Sequence, residues 1–290
     1  GSAVALVLPM FDNGDIDFEG FKKQVQRMID GGVQALLVNG TTGETATITI
    51  EDEFKLLDLT LELAKGTGVK VICGAGSNDT QTALKKARYA KEKGADAILV
   101  VTPYYNKTSQ RGLIQHYTTI ADAVDIPMIL YNVPGRTGTN IQPATAVKIA
   151  KSVDNIVAIK EASGDIGQVA TLAALADGCL DIYSGNDDQV VPLLALGGKG
   201  VISVLSNVAP RETHDMVMKF LEGDVKGSLD IQLKYMDVIH NLFSEVNPIP
   251  AKRAVAEMGY CKNIVRRPLT EMEEDHAQVL IQSMKEAGIL

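Results

Sequence analysis

In the run NIVAIKEASGD (155–165), Lys160 follows directly on Ile156, Val157, Ala158 and Ile159. Those four read as buried-strand residues, so an ammonium stands at the end of a strand covered on both faces. Burying it is costly unless it is paired or gives up its proton. On this stretch alone, a nearby carboxylate or an exit to water is the simpler reading. The other reading is an amine kept partly neutral so that it can add to a carbonyl.

The ends of the other apolar runs carry further reactive groups. NGTTGET (39–45) frames Thr41 and Thr42 with glycines, and TPYYNK (102–107) brings Tyr104 and Tyr105. The run 127–131 ends in Tyr131 and continues as NVPGRTG, with Arg136 in a tight Pro-Gly loop. SGNDD (184–188) and ISVLSN (202–207) complete the set. An amine condensed with a ketone forms an iminium, an electron sink for the neighbouring carbon. A tyrosine hydroxyl can carry protons to and from the carbinolamine. Threonine hydroxyls and loop N–H groups can hold one carboxylate, and an arginine can hold a second in a bidentate pair. His116, His214, His240 and His276 all fall in helical stretches, so no metal site is expected.

Each motif also has an ordinary structural reading. Gly40 and Gly43 can simply make a turn, Tyr104 and Tyr105 can be core or interface aromatics, and PGRTG can be an exposed turn. CGAGSND (73–79) lacks the spacing and lysine of a phosphate loop, GGKG (197–200) reads as a bend, and Cys73 reads as a small core residue. The chemical case rests on joint placement.

The elements that must position these groups alternate along the chain. Strands are expected at 3–8, 34–38, 69–73, 96–101, 127–131, 155–160, 180–184 and 200–204, each rich in Val, Ile and Leu without strict alternation. Helices are expected near 17–31, 51–66, 79–93, 110–123, 143–152, 165–176, 187–197 and 210–222. Asp79 and Gly94 mark the start and stop of one, and Asn140 with Pro143 open another. Eight strand–helix units without a long linker predict an α/β fold, a (β/α)8 TIM barrel. A doubly wound sheet is the runner-up, but no GxGxxG follows the first strand. Reactive groups of such barrels sit at the C-terminal ends of the strands. After residue 222 the pattern is helical (224–245, 250–258, 270–287), which gives a catalytic barrel over 1–222 and an appended C-terminal helical region over 223–290.

The 290 residues carry a net charge of −8 and one short basic pair, Arg266-Arg267, which argues against nucleic acid and anionic membranes as partners. Three scattered cysteines fit neither a disulfide framework nor zinc, and a reducing cytoplasm is the simplest location. No stretch approaches the ~18 apolar residues of a membrane span.

The motifs GTTGE (40–44), TPYYN (102–106), YNVPGRTG (131–138), IKEASG (159–164), YSGND (183–187), GVISV (200–204) and NPIP (247–250), in this order, resemble the 4-hydroxy-tetrahydrodipicolinate synthase (dihydrodipicolinate synthase) family from end to end. By that resemblance Lys160 forms the Schiff base with pyruvate, Tyr131 relays protons, and Thr41 is its hydroxyl partner. Thr42 helps hold the pyruvate carboxylate. Tyr105 completes the relay from a neighbouring subunit, and Arg136 receives the carboxylate of L-aspartate 4-semialdehyde. Gly185 and Ile202 supply main-chain contacts around the lysine. The resemblance implies no cofactor beyond the covalent Schiff base, and a homo-oligomer, a tetramer built from tight dimers. It also implies that Gly1-Ser2 is natural sequence with a few residues missing ahead of it.

There are departures. Leu8 stands where the family usually has Thr. Asn78 and Tyr104 match an allosteric lysine site, but Ile50, Glu53 and Thr82 stand where lysine-sensitive members carry two histidines and a glutamate, so feedback inhibition is expected to be weak or absent. The competing readings are an N-acetylneuraminate lyase or 2-keto-3-deoxy-sugar-acid aldolase on the same scaffold, and a non-catalytic barrel that binds an acidic metabolite. Arg136 and Tyr105 argue against the first, and the full set of reactive groups argues against the second.

Overall fold

The computed structural model describes residues 1–290. Its strands are β1 (Ser2–Ala5), β2 (Ala35–Val38), β3 (Lys70–Gly74), β4 (Ala97–Val101), β5 (Met128–Asn132), β6 (Ile156–Glu161), β7 (Asp181–Ser184) and β8 (Gly200–Ser203). They hydrogen-bond in chain order and close into a barrel, the architecture expected from the alternating pattern. The alternating helices are Phe18–Asp30, Ile50–Ala64, Thr80–Lys93, Gln110–Ala123, Pro143–Ala150, Ile166–Ala176, Val190–Ala195 and Pro210–Leu221. The expected cap holds at Asp79, whose carboxylate accepts from the N–H groups of Gln81 and Thr82. Gly94 closes that helix at φ +84, a conformation that suits glycine. Asn140 does not cap the helix Pro143–Ala150. Its side chain bonds Asn132 and Gln168 instead, and Pro143 alone marks the helix start.

The chain divides into two compact units, residues 1–70 with 203–290, and residues 71–202. In the first, β1 pairs with β2 in parallel, with Val4 opposite Leu36. The helix Phe18–Asp30 buries Phe21, Val25 and Met28, one face of a 3.6-residue repeat. The C-terminal helices Val225–Lys234, Met236–Asn241, Ile249–Glu257 and Glu274–Ala287 belong to this unit. Their Val238, Ile239, Val255, Leu280 and Met284 share one core with Val7, Leu205 and Val208. Full burial of each such side chain contributes about 1.5–3 kcal/mol, enough to fix these helices against the segment after β8.

In the second unit, β4, β5, β6 and β7 pair in parallel through Leu99–Ile129, Leu130–Ile159 and Ile159–Ile182. One expected core residue is not buried. Val157 is 42% exposed. The register with β5 jumps from Met128–Ile156 to Ile129–Ala158, so Val157 is the extra residue of a bulge, and its pairing with β7 begins only at Ala158. Two helical expectations also shift. The stretch 224–245 breaks at Tyr235, which is itself buried, and the stretch 187–197 begins as a 3-10 turn before Val190–Ala195.

Candidate active site

Lys160 is the penultimate residue of β6, with Glu161 the last, and it is only 5% exposed. Register places it opposite Tyr131 of β5 and Tyr183 of β7. Its Nζ lies 4.3 Å from the centroid of the Tyr131 ring. No carboxylate pairs with it, so the ion-pair reading of the buried lysine does not hold. The adjacent Glu161, whose side chain leaves the opposite face of the strand, is engaged elsewhere. Its carboxylate accepts from Asn132 Nδ2 at 3.0 Å and from the Ser163 N–H at 2.7 Å. Asn132 in turn donates to Asn140 Oδ1 at 2.8 Å and accepts from the Ile141 N–H at 2.9 Å. This polar network locks the ends of β5 and β6 from behind, with Tyr131 and Lys160 on the other side.

Gly185, just past β7, makes room for the lysine. A Cβ there would lie 3.0 Å from Lys160 Cε, 3.2 Å from Cγ and 2.6 Å from Ala162 Cβ, so any larger residue would displace the amine. Its N–H donates to Glu161 O at 2.8 Å, which extends the pairing past the strand end. Ile202 lies on β8, fully inside the core.

Arg136 sits in a one-turn helix, Pro134–Thr137, where a simple loop was expected. Gly138 ends it at φ +68 and carries the Lys107 side chain across it, whose Cε would meet a Cβ at 2.8 Å. Thr139 Oγ1 donates to Pro103 O at 3.0 Å and ties this turn to the segment holding Tyr104 and Tyr105. Tyr105 is 91% exposed in the left-handed region, φ +67. Its ring is therefore not a core aromatic, and the strained backbone presents it outward.

Thr41 and Thr42 belong to the other unit, in the 3-10 turn Thr41–Gly43 that follows β2. Thr41 is exposed, and Thr42 is buried. The turn is closed by Gly43 N–H to Gly40 O at 3.1 Å, Glu44 N–H to Thr41 O at 3.0 Å and Thr45 Oγ1 to Gly40 O at 2.7 Å.

Three residues given no role from sequence engage this turn. Asn247 Nδ2 donates to Thr42 Oγ1 at 3.0 Å. Lys252, wholly buried, lies 2.9 Å from Glu44 Oε1 and donates to Leu8 O at 2.6 Å and Ile264 O at 2.7 Å. Glu44 Oε2 accepts the Arg266 N–H at 2.8 Å. Glu44 and Asn247 stand inside the motifs GTTGE and NPIP, and Lys252 is a charge among the apolar residues Ile249, Ala251, Ala254 and Val255 on the buried face of its helix. That last feature was the available signal. Leu8, the departure noted above, contributes only its carbonyl here.

A buried amine packed on a tyrosine ring at the end of a barrel strand is an arrangement suited to carbonyl chemistry through a lysine. The chain matches the dihydrodipicolinate synthetase family over residues 1–287, and it belongs to that family. It is 52% identical over 290 residues to the 4-hydroxy-tetrahydrodipicolinate synthase of Lachnoclostridium phytofermentans, covering 100% of this chain and 98% of that one. The corresponding protein of Alkaliphilus oremlandii is 50% identical, with 100% and 99% covered. The crystal structure of dihydrodipicolinate synthase from Thermotoga maritima superposes with a TM-score of 0.97 at 42% identity, covering 100% of this chain and 99% of that one.

Proposed function

We propose that this chain condenses pyruvate with L-aspartate 4-semialdehyde to 4-hydroxy-tetrahydrodipicolinate, a step toward diaminopimelate and lysine. The observation that carries the reading is Lys160, buried without a carboxylate and set against Tyr131. Lys160 Nζ adds to the pyruvate carbonyl, and water leaves to give the iminium. Loss of a methyl proton yields the enamine, whose carbon attacks the aldehyde and leaves a hydroxyl. The amino group of the semialdehyde then adds to the iminium carbon and displaces Lys160 as the free amine, which closes the ring.

Tyr131 carries protons during carbinolamine formation and loss of water, with Thr41 as its hydroxyl partner and Tyr105 completing the relay from a neighbouring subunit. The outward presentation of Tyr105 suits that role. Thr42 binds the pyruvate carboxylate, and Arg136 binds that of the semialdehyde. Gly185 and Ile202 offer main-chain contacts next to the amine. The reaction needs no cofactor. We assign the catalytic role to 1–222 and an appended helical role to 223–290, and a homotetramer of tight dimers as the working form. No helix is long and apolar enough to cross a membrane, and the three cysteines are free, which supports a cytoplasmic location. Turnover of pyruvate with L-aspartate 4-semialdehyde, and its loss in Lys160→Ala, tests the reading. Turnover by Lys160→Ala at the wild-type rate would refute it.

A further inference from the structure

We propose that Asn247, in the C-terminal region, is a positioning residue that makes the Thr42 hydroxyl a dedicated donor to the pyruvate carboxylate. This rests on the pyruvate reading given above.

A threonine hydroxyl has one proton to give and two lone pairs. Asn247 Nδ2 occupies one lone pair of Thr42 at 3.0 Å, and both residues are buried. Thr42 Oγ1 receives that bond and gives its own proton to no protein group. A buried hydroxyl so arranged presents an O–H for an outside acceptor. A carboxylate is the acceptor that rewards it most, because a hydrogen bond to an ion is about twice as strong as one between neutral groups. An amide that accepted instead would consume the threonine proton.

The geometry around this pair holds both partners. Asn247 leads into the helix Ile249–Glu257, whose first turn is fixed by Ile249 N–H to Val246 O at 2.9 Å and Lys252 N–H to Pro248 O at 2.8 Å. Five residues after Asn247, Lys252 Nζ reaches Glu44, two residues after Thr42, so the same short segment grips the turn at its side chain and at its end. Glu44 is held at φ +55, a conformation most residues avoid, and its carboxylate is anchored by Lys252 and the Arg266 N–H. The C-terminal region thereby acts on a substrate group without touching substrate.

The test is steady-state kinetics with borohydride trapping of pyruvate, on the full-length protein. Asn247→Ala is expected to raise the pyruvate KM by roughly tenfold or more, with the semialdehyde KM and the kcat at saturating pyruvate little changed. Thr42→Val is expected to do the same, and the double variant to be no worse than Thr42→Val alone, since both remove one interaction. Asn247→Asp, which keeps the shape but accepts the threonine proton, is expected to be at least as impaired as Asn247→Ala. It carries the same comparison if the alanine variant does not fold. A wild-type pyruvate KM in Asn247→Ala or Asn247→Asp, or effects that multiply in the double variant, would overturn the proposal. A wild-type protein that traps no pyruvate on Lys160 would instead overturn the functional reading on which it stands.

Discussion

Tyr131 and Lys160 are register partners on neighbouring parallel strands, and the lysine Nζ lies 4.3 Å from the centre of the tyrosine ring. The ring and the hydroxyl of Tyr131 therefore have separable roles. The ring packs on the amine, and in the proposed reaction the hydroxyl moves protons. Tyr131→Phe keeps the first and removes the second. It should lower kcat by about a hundredfold or more while thermal unfolding stays near that of the wild type. A variant that keeps full activity would show that the hydroxyl is idle.

The Lys252–Glu44 pair is a stability element as well as an anchor. Removing one partner leaves the other charge buried and uncompensated, at a cost of about 3–5 kcal/mol. Lys252→Met should lower the unfolding free energy measured by denaturant titration by that amount, whereas Lys252→Met with Glu44→Gln should recover much of it. Equal loss in the single and double variants would contradict a paired role.

His116 couples stability to pH. Burial pushes its pKa down to about 4, against a smaller opposing pull from Asp79, while Nδ1 sits 2.9 Å from Thr80 Oγ1. The unfolded chain, with histidine near its ordinary value of about 6.5, binds the proton first, so stability is present above that pH and falls as the medium is acidified toward 4. Between pH 7 and 5 the loss should be about 2 kcal/mol, and His116→Gln should flatten that part of the profile. An unchanged slope in the variant would show that other groups control it.

Lysine should be a poor inhibitor. Resemblance puts Ile50, Glu53 and Thr82 where lysine-sensitive members carry two histidines and a glutamate. Thr82 cannot take the missing role, because its hydroxyl donates to Asp79 at 2.6 Å as part of the helix cap. Glu53 is buried within its own helix. Activity assayed with added lysine should hold at micromolar concentrations. Inhibition in that range would contradict this.

The strands were legible because both faces of each are covered, which leaves Val, Ile and Leu runs that local turns delimit. Lys160 and Tyr131 were legible for the same reason, as polar residues where those runs end. Val157 was not, since a bulge is a property of the pairing between β5 and β6 and leaves no mark on β6 alone. The break at Tyr235 was hidden too. No glycine or proline announces it, and the residue is held by the core of the C-terminal helices. Asn247 and Lys252 lie 205 and 208 residues beyond the threonine and glutamate they engage, Thr42 and Glu44, so only the folded chain joins them.

The most direct test is borohydride reduction in the presence of pyruvate, followed by peptide mass analysis. A Schiff base at Lys160 predicts a gain of one pyruvate, less water and plus two hydrogens, on the peptide carrying Lys160, with no gain in Lys160→Ala. An unmodified Lys160, or an adduct on another lysine that survives in Lys160→Ala, would contradict the assignment of this amine as the nucleophile.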